Sequence, residues 1–147
     1  KVYLHADLYY VDNEVMKKFK ENPDWIAYFS KQTDNIGRIF LNPKHLAKET
    51  LSPLLIEGIY DHELIHAFDA LILKKEIENT AIGFYKNEIE TYKTTIEHHK
   101  ERLKNEKDNN RKEAIKEVIK FFEVKLKENE KKKNILETIN RLSTGVK

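Results

Sequence analysis

The sequence predicts an α+β fold: a small mixed sheet early in the chain, a well-capped helix after it, and an antiparallel helical hairpin at the C-terminal end. Three observations carry this. Apolar residues alternate at period two in Val2 to Val11, and strand character returns between Trp25 and Leu41. Ser52-Pro53 supplies a strong helix start. After residue 84 apolar residues recur at alternating spacings of four and three, the seam of one helix packed on another. At 147 residues the chain has room for one domain with a real core and an appendage.

Val2 to Val11 is apolar and aromatic, with Leu4, Ala6, Leu8 and Tyr10 on one face, and reads as a strand. Asp12 or Asn13 caps a short helix carrying Val15, Met16 and Phe19, which ends before the Asn22-Pro23-Asp24 turn. Trp25 to Ser30 and Arg38 to Leu41 flank Thr33-Asp34-Asn35-Ile36-Gly37, which suits a hairpin closed by Pro43. Ser52 is the expected N-cap of the next helix, with Pro53 at its first position and Leu51 stapled to Ile56. That helix is expected to run to about Lys75. The seam of Tyr85, Ile89, Tyr92, Ile96, His99 and Leu103 follows. A turn at Lys107-Asp108-Asn109-Asn110 leads into Ile115, Ile119, Phe122 and Leu126, so a helical hairpin is expected from about 84 to 127. Lys127 to Asn134 is polar throughout and leaves two readings, a break or exposed helix, before the apolar stripe of Ile135, Leu136, Ile139 and Leu142.

Composition mostly excludes. The net charge of +2 gives no field that would attract nucleic acid or a membrane surface. Without cysteine there is no disulfide framework, thiol nucleophile or Cys-rich structural zinc site. No apolar run approaches the roughly 20 residues that span a bilayer, and Lys1 to Asp7 lacks the apolar stretch of a signal peptide. A chain that begins without methionine is compatible with a fragment or a processed form, and the compartment stays open.

The chemistry is carried by His62-Glu63-Leu64-Ile65-His66. Two histidines four apart on a helix project from one face, one turn apart, as two ligands of a single zinc ion require. Glu63 beside them is placed to act as general base toward a water on the open side of the metal. With 6 histidines and 18 glutamates in the chain, chance gives roughly 0.03 such matches. Ile65, Phe68 and Ile72 on the opposite side imply a packed helix, on which an unbound stripe of His62, Glu63, His66 and Asp69 is costly to desolvate. The rival reading is a surface stripe on a structural helix.

A hydrolytic zinc takes three protein ligands and keeps one position for water. Asp69, one turn beyond His66, is better placed to hold a ligand ring than to reach the metal. Glu76 and Glu78 lie at the helix end, and Glu90, Glu97 and Glu101 read as a solvated acidic face. Glu88 lies between Tyr85 and Tyr92 on the inward seam, and geometry selects it as third ligand. Two weaker expectations accompany it. The strand Gly37 to Leu41 could pair with an extended peptide by strand addition. Tyr92 or Tyr85 could donate a hydrogen bond to an oxyanion, against a default of core packing. His98 and His99 are expected to be solvated, and His5 and His45 have no evident partner.

The run His62-Glu63-Leu64-Ile65-His66-Ala67-Phe68-Asp69 resembles the motif of the mitochondrial inner-membrane metallopeptidases that process and help assemble ATP synthase. Arg38-Ile39-Phe40-Leu41-Asn42 resembles that family's upstream strand and loop, and Asn87-Glu88-Ile89 its downstream segment. Glu88 stands 22 residues after His66, where the resemblance implies the third zinc ligand. The resemblance covers residues 37–92. The family's usual cysteines are absent, Glu90 stands where an arginine is usual, and the charged hairpin after residue 93 departs from the pattern, so neither substrate nor location carries over. Clostridial neurotoxin light chains share His-Glu-Leu-Ile-His-Ala, with a glutamate ligand that would fall at Glu101, a position facing away from the seam.

The expectation is therefore a minimal zincin: a catalytic core over 1–92, and a helical extension over 93–147 packed on it or projecting from it. His62, His66 and Glu88 would hold Zn2+, Glu63 would be the catalytic base, Tyr92 would assist, and Asp69 would support a ligand ring. The activity would be zinc-dependent hydrolysis of peptide bonds in a peptide or protein substrate. The rivals are a non-catalytic metal-binding or helical interaction module, and the protease domain of a larger toxin-like protein. The hairpin seam would then recruit a protein partner or a second copy.

Overall fold

The computed structural model describes residues 1–7, 13–47 and 51–145, so Leu8, Tyr10 and the expected cap Asp12 lie outside the described residues. The fold class is α+β, and the chain divides into two compact units, Lys1–Lys75 and Glu76–Lys147. The boundary expected at residue 92 falls inside a helix that runs unbroken from Ala81 to Asn105.

In the first unit, β1 (Tyr3–Asp7), β2 (Ala27–Thr33) and β3 (Ile36–Leu41) form a sheet of order β1-β3-β2. β1 runs parallel to β3, with Tyr3 opposite Ile36 and Asp7 opposite Phe40; β2 runs antiparallel to β3, with Ala27 opposite Leu41. A parallel pair needs a crossover. Helix α1 (Asn13–Glu21) and β2 lie within it. Alternation then sends successive β3 side chains to opposite faces. On one face Phe40 packs with Val15 and Phe19 of α1, rimmed by Trp25 and Tyr28. The Tyr28 ring sits 5.1 Å from Phe19 and 5.2 Å from Phe40.

The other face receives α3 (Pro53–Leu71), reached through the short α2 (Pro43–Leu46). Asn42 brackets α2. Its backbone N–H donates to Ile26 O, its amide donates to Trp25 O at 3.1 Å, and its side-chain oxygen caps the Lys44 N–H. Ser52 caps α3 as expected, accepting from the Leu55 N–H at 3.1 Å with Pro53 at the first turn. Gly37 allows close approach: a Cβ there would lie 2.5 Å from the Phe29 ring and 2.9 Å from Leu71 Cδ1.

Two expectations are corrected. The buried line of α3 is Ile59, Glu63, Ala67 and Leu71, whereas Phe68 and Ile72 are about half exposed, at 52% and 51%. The sheet takes the face that carries Leu71, because Gly37 lets Leu71 and the Phe29 ring approach closely. The strand Gly37–Leu41 is central in the sheet, with β1 on one side and β2 on the other, so neither of its edges is open to an added strand. A peptide could add only to β1 or β2.

The second unit is a helical hairpin of α4 (Ala81–Asn105) and α5 (Asn109–Ser143). Thr80 and Asp108 cap the two helices by accepting from Gly83 N and Arg111 N. Ile89 and Ile96 of α4, with Ile115, Val118, Ile119 and Phe122 of α5, form its apolar core. The polar stretch Lys127–Asn134 is unbroken helix. It has no glycine or proline, its lysines and glutamates are good helix formers, and ion pairs such as Lys125–Glu128 and Lys133–Glu137, both 3.6 Å, run along it. His99 is also corrected. It is buried, with its ring stacked on Phe122 at a centroid distance of 5.7 Å, while His98 is exposed as expected.

Glu106 ties the turn of this hairpin. Its carboxylate accepts from the Lys107 and Asp108 N–H groups, each at 3.1 Å, and pairs with Arg111 at 3.1 Å. The Asp108 N–H first, opposed by desolvation and helped by the Arg111 charge, holds its carboxyl below the usual carboxylate range. A depressed folded-state pKa contributes stability that is present above the ordinary carboxylate pKa and is lost as pH falls through the folded value. Glu106→Gln should therefore melt below wild type at pH 7, and the gap should close on acidification below the ordinary carboxylate pKa. Circular dichroism melts across pH check this. In the first unit, Gly37→Ala should destabilise by about 1–3 kcal/mol through overpacking, as read by urea unfolding.

Candidate metal centre

The site grows from the rotation of α3. Once Ile59, Ala67 and Leu71 are seated on the sheet, Glu63 lies on the same buried line and His62 beside it, with 6% and 3% of their surfaces exposed. His66, one turn beyond His62, is half-buried. The two imidazoles converge. His62 Nε2 and His66 Nε2 lie 3.2 Å apart, and the rings stand 85° to one another.

Two arrangements produce that distance: a long N–H···N hydrogen bond in one tautomer pairing, or a shared electrophile. Donors about 2.0–2.1 Å from a tetrahedral zinc ion stand about 3.3–3.4 Å from each other, so the pair matches two adjacent corners of such a site. Glu88, the expected third ligand, lies half-buried on α4 in the second unit.

The remaining expected residues sort clearly. Asp69 is mostly covered and ion-pairs with Lys75 at 3.5 Å. Tyr92 is half-buried, its ring 6.0 Å from Phe122, which places its body in the hairpin core. Tyr85 is half-buried beneath Lys132, whose ammonium lies 5.9 Å from the ring centre. Glu76, Glu78, Glu90, Glu97 and Glu101 are all exposed, as a solvated acidic face would be. His45, with no partner evident from sequence, meets the Pro23 carbonyl through Nε2 at 2.8 Å. That pairing joins residues 22 apart in an irregular stretch, and no periodic signal marks it. His5 is exposed on β1.

The chain matches no family profile, no curated protein and no solved structure. No helix of the described residues is long and apolar enough to cross a membrane.

Proposed function

We propose that the protein is a zinc-dependent endopeptidase of the zincin type, with His62, His66 and Glu88 as zinc ligands and Glu63 as general base. The observation that carries this is the convergence of His62 and His66 at 3.2 Å on a helix that also buries Glu63. Two neutral imidazoles and one carboxylate suit Zn2+ and leave one position for water, as hydrolytic sites do. When bound, zinc would polarise the scissile carbonyl and acidify the attacking water.

The protein's own groups then supply orientation and proton transfer. Burial of Glu63 keeps bulk water from competing for its carboxylate. Glu63 accepts a proton from water as the new C–O bond forms at the scissile carbon. It returns that proton to the leaving nitrogen as the C–N bond breaks, so the carboxylate is regenerated. His62 and His66 would hold the metal through their imidazole nitrogens, with the second nitrogen of each ring left to fix its orientation. Asp69 is the candidate to support the His66 ring from one turn away, and Tyr92 the candidate to steady the oxyanion. A peptide substrate would lie in extended form along β2, the edge strand packed on α3.

Metal analysis and proteolysis of denatured casein test this together. Purified protein should carry one zinc per chain, His62→Ala and His66→Ala should lose it, and chelation followed by zinc addition should restore cleavage. Glu63→Gln should keep its zinc while kcat/KM falls about 10²–10⁴-fold. Full cleavage by Glu63→Gln, or wild-type protein that binds no zinc, rules the reading out.

A further inference from the structure

We infer that Lys74 is a positioning residue that locks the β2–β3 hairpin onto the end of α3; its role in substrate binding rests on the peptidase reading above. Lys74 has a positive φ of 53°, with no other non-glycine residue among those described doing so. It ends α3 in the manner usually given to glycine: the Lys75 N–H reaches back to Asp69 O at 2.9 Å, and the residue before it takes the left-handed conformation that glycine adopts at least cost. The Asp69–Lys75 ion pair spans the same closure. The sequence there is Leu73-Lys74-Lys75, so the lysine occupies a strained position whose backbone does not call for it.

Its side chain gives the reason. Lys74 Nζ donates to the Asp34 carbonyl and lies 3.5 Å from Asn35 Oδ1, so one ammonium gathers both residues of the β2–β3 turn. The turn is prepared for it. Lys31 takes the Asp34 carboxylate at 3.3 Å, leaving the carbonyl to Lys74, and Tyr3 N donates to Asn35 O at 2.8 Å, which ties in β1. Immediately inward, Leu71 of the same helix end packs at Gly37 and Phe29. The hairpin is thus pinned at its tip to the helix that carries His62, Glu63 and His66. A substrate laid on β2 would be presented to those three residues at an angle that Lys74 sets.

Hydrogen–deuterium exchange and kinetics on Lys74→Gly, Lys74→Asn and Lys74→Arg decide it. Glycine and asparagine both accept the left-handed backbone but cannot reach the turn, so the helix end stays intact while the pin is removed. In these two variants, exchange over residues 31–36 should accelerate about tenfold or more. Zinc content should stay at wild-type level, and KM for denatured casein should rise several-fold while kcat holds. Lys74→Arg, which keeps the donors, should resemble wild type in all three. Unchanged exchange at the turn overturns the inference, as does accelerated exchange with an unchanged KM. Acceleration spread over the whole first unit also overturns it, because that is a loss of fold. If wild-type protein holds zinc yet cleaves no casein, the peptidase reading fails, and exchange at residues 31–36 alone then supports or overturns the pin.

Discussion

Packing and chemistry compete for the same side of α3, and one rotation of the helix has to serve both. Ile59, Glu63, Ala67 and Leu71 fall every four residues along one buried line, so three apolar groups anchor the helix to the sheet while the fourth position is a carboxylate. His62 stands a residue away from that line and His66 a turn further on. Turning α3 enough to expose Glu63 would unseat Leu71 from Gly37 and Phe29. The sheet therefore fixes where the two imidazoles point, and the convergence of their Nε2 atoms is a consequence of core packing as much as of the four-residue spacing. Burying a carboxylate and an imidazole in such a line is costly unless each has a polar partner, and His62 meets the His66 ring at 3.2 Å.

What the sequence made legible was mostly local. The spacing of His62 and His66, the Ser52-Pro53 cap and the 4–3 seam of the hairpin are properties of a single helix, and each survives whatever that helix packs against. Pairings between distant segments were not legible. β3 is central because β1 joins it in parallel across a crossover, and no feature of Gly37 to Leu41 distinguishes a central strand from an edge. The same limit hid which face of α3 is buried: Ile65, Phe68 and Ile72 are as apolar as the line that packs, and only the room left by Gly37 chooses between them. The end of α3 was misplaced by about four residues because a lysine stands where glycine would have signalled it. His99 was readable in principle, since it continues the Tyr92–Ile96 register, but its charged neighbours outweighed that register.

The hairpin poses a different physical problem, because Thr91, Thr95 and His99 are buried among Ile115, Val118, Ile119 and Phe122. Buried hydroxyls normally need partners on the facing element. Here each threonine turns inward on its own helix: Thr91 Oγ1 donates to Asn87 O at 2.9 Å and Thr95 Oγ1 to Thr91 O at 2.8 Å. These bonds satisfy the hydroxyls inside α4. The threonines are also small. That leaves room opposite for Phe122, which stacks on His99 and packs near Tyr92. The stack of Phe122 on His99 and its contact with Tyr92 help to select one register of α4 against α5. Glu88 and Tyr92 lie on this same helix, so their height relative to α5 follows from the register of α4 against α5.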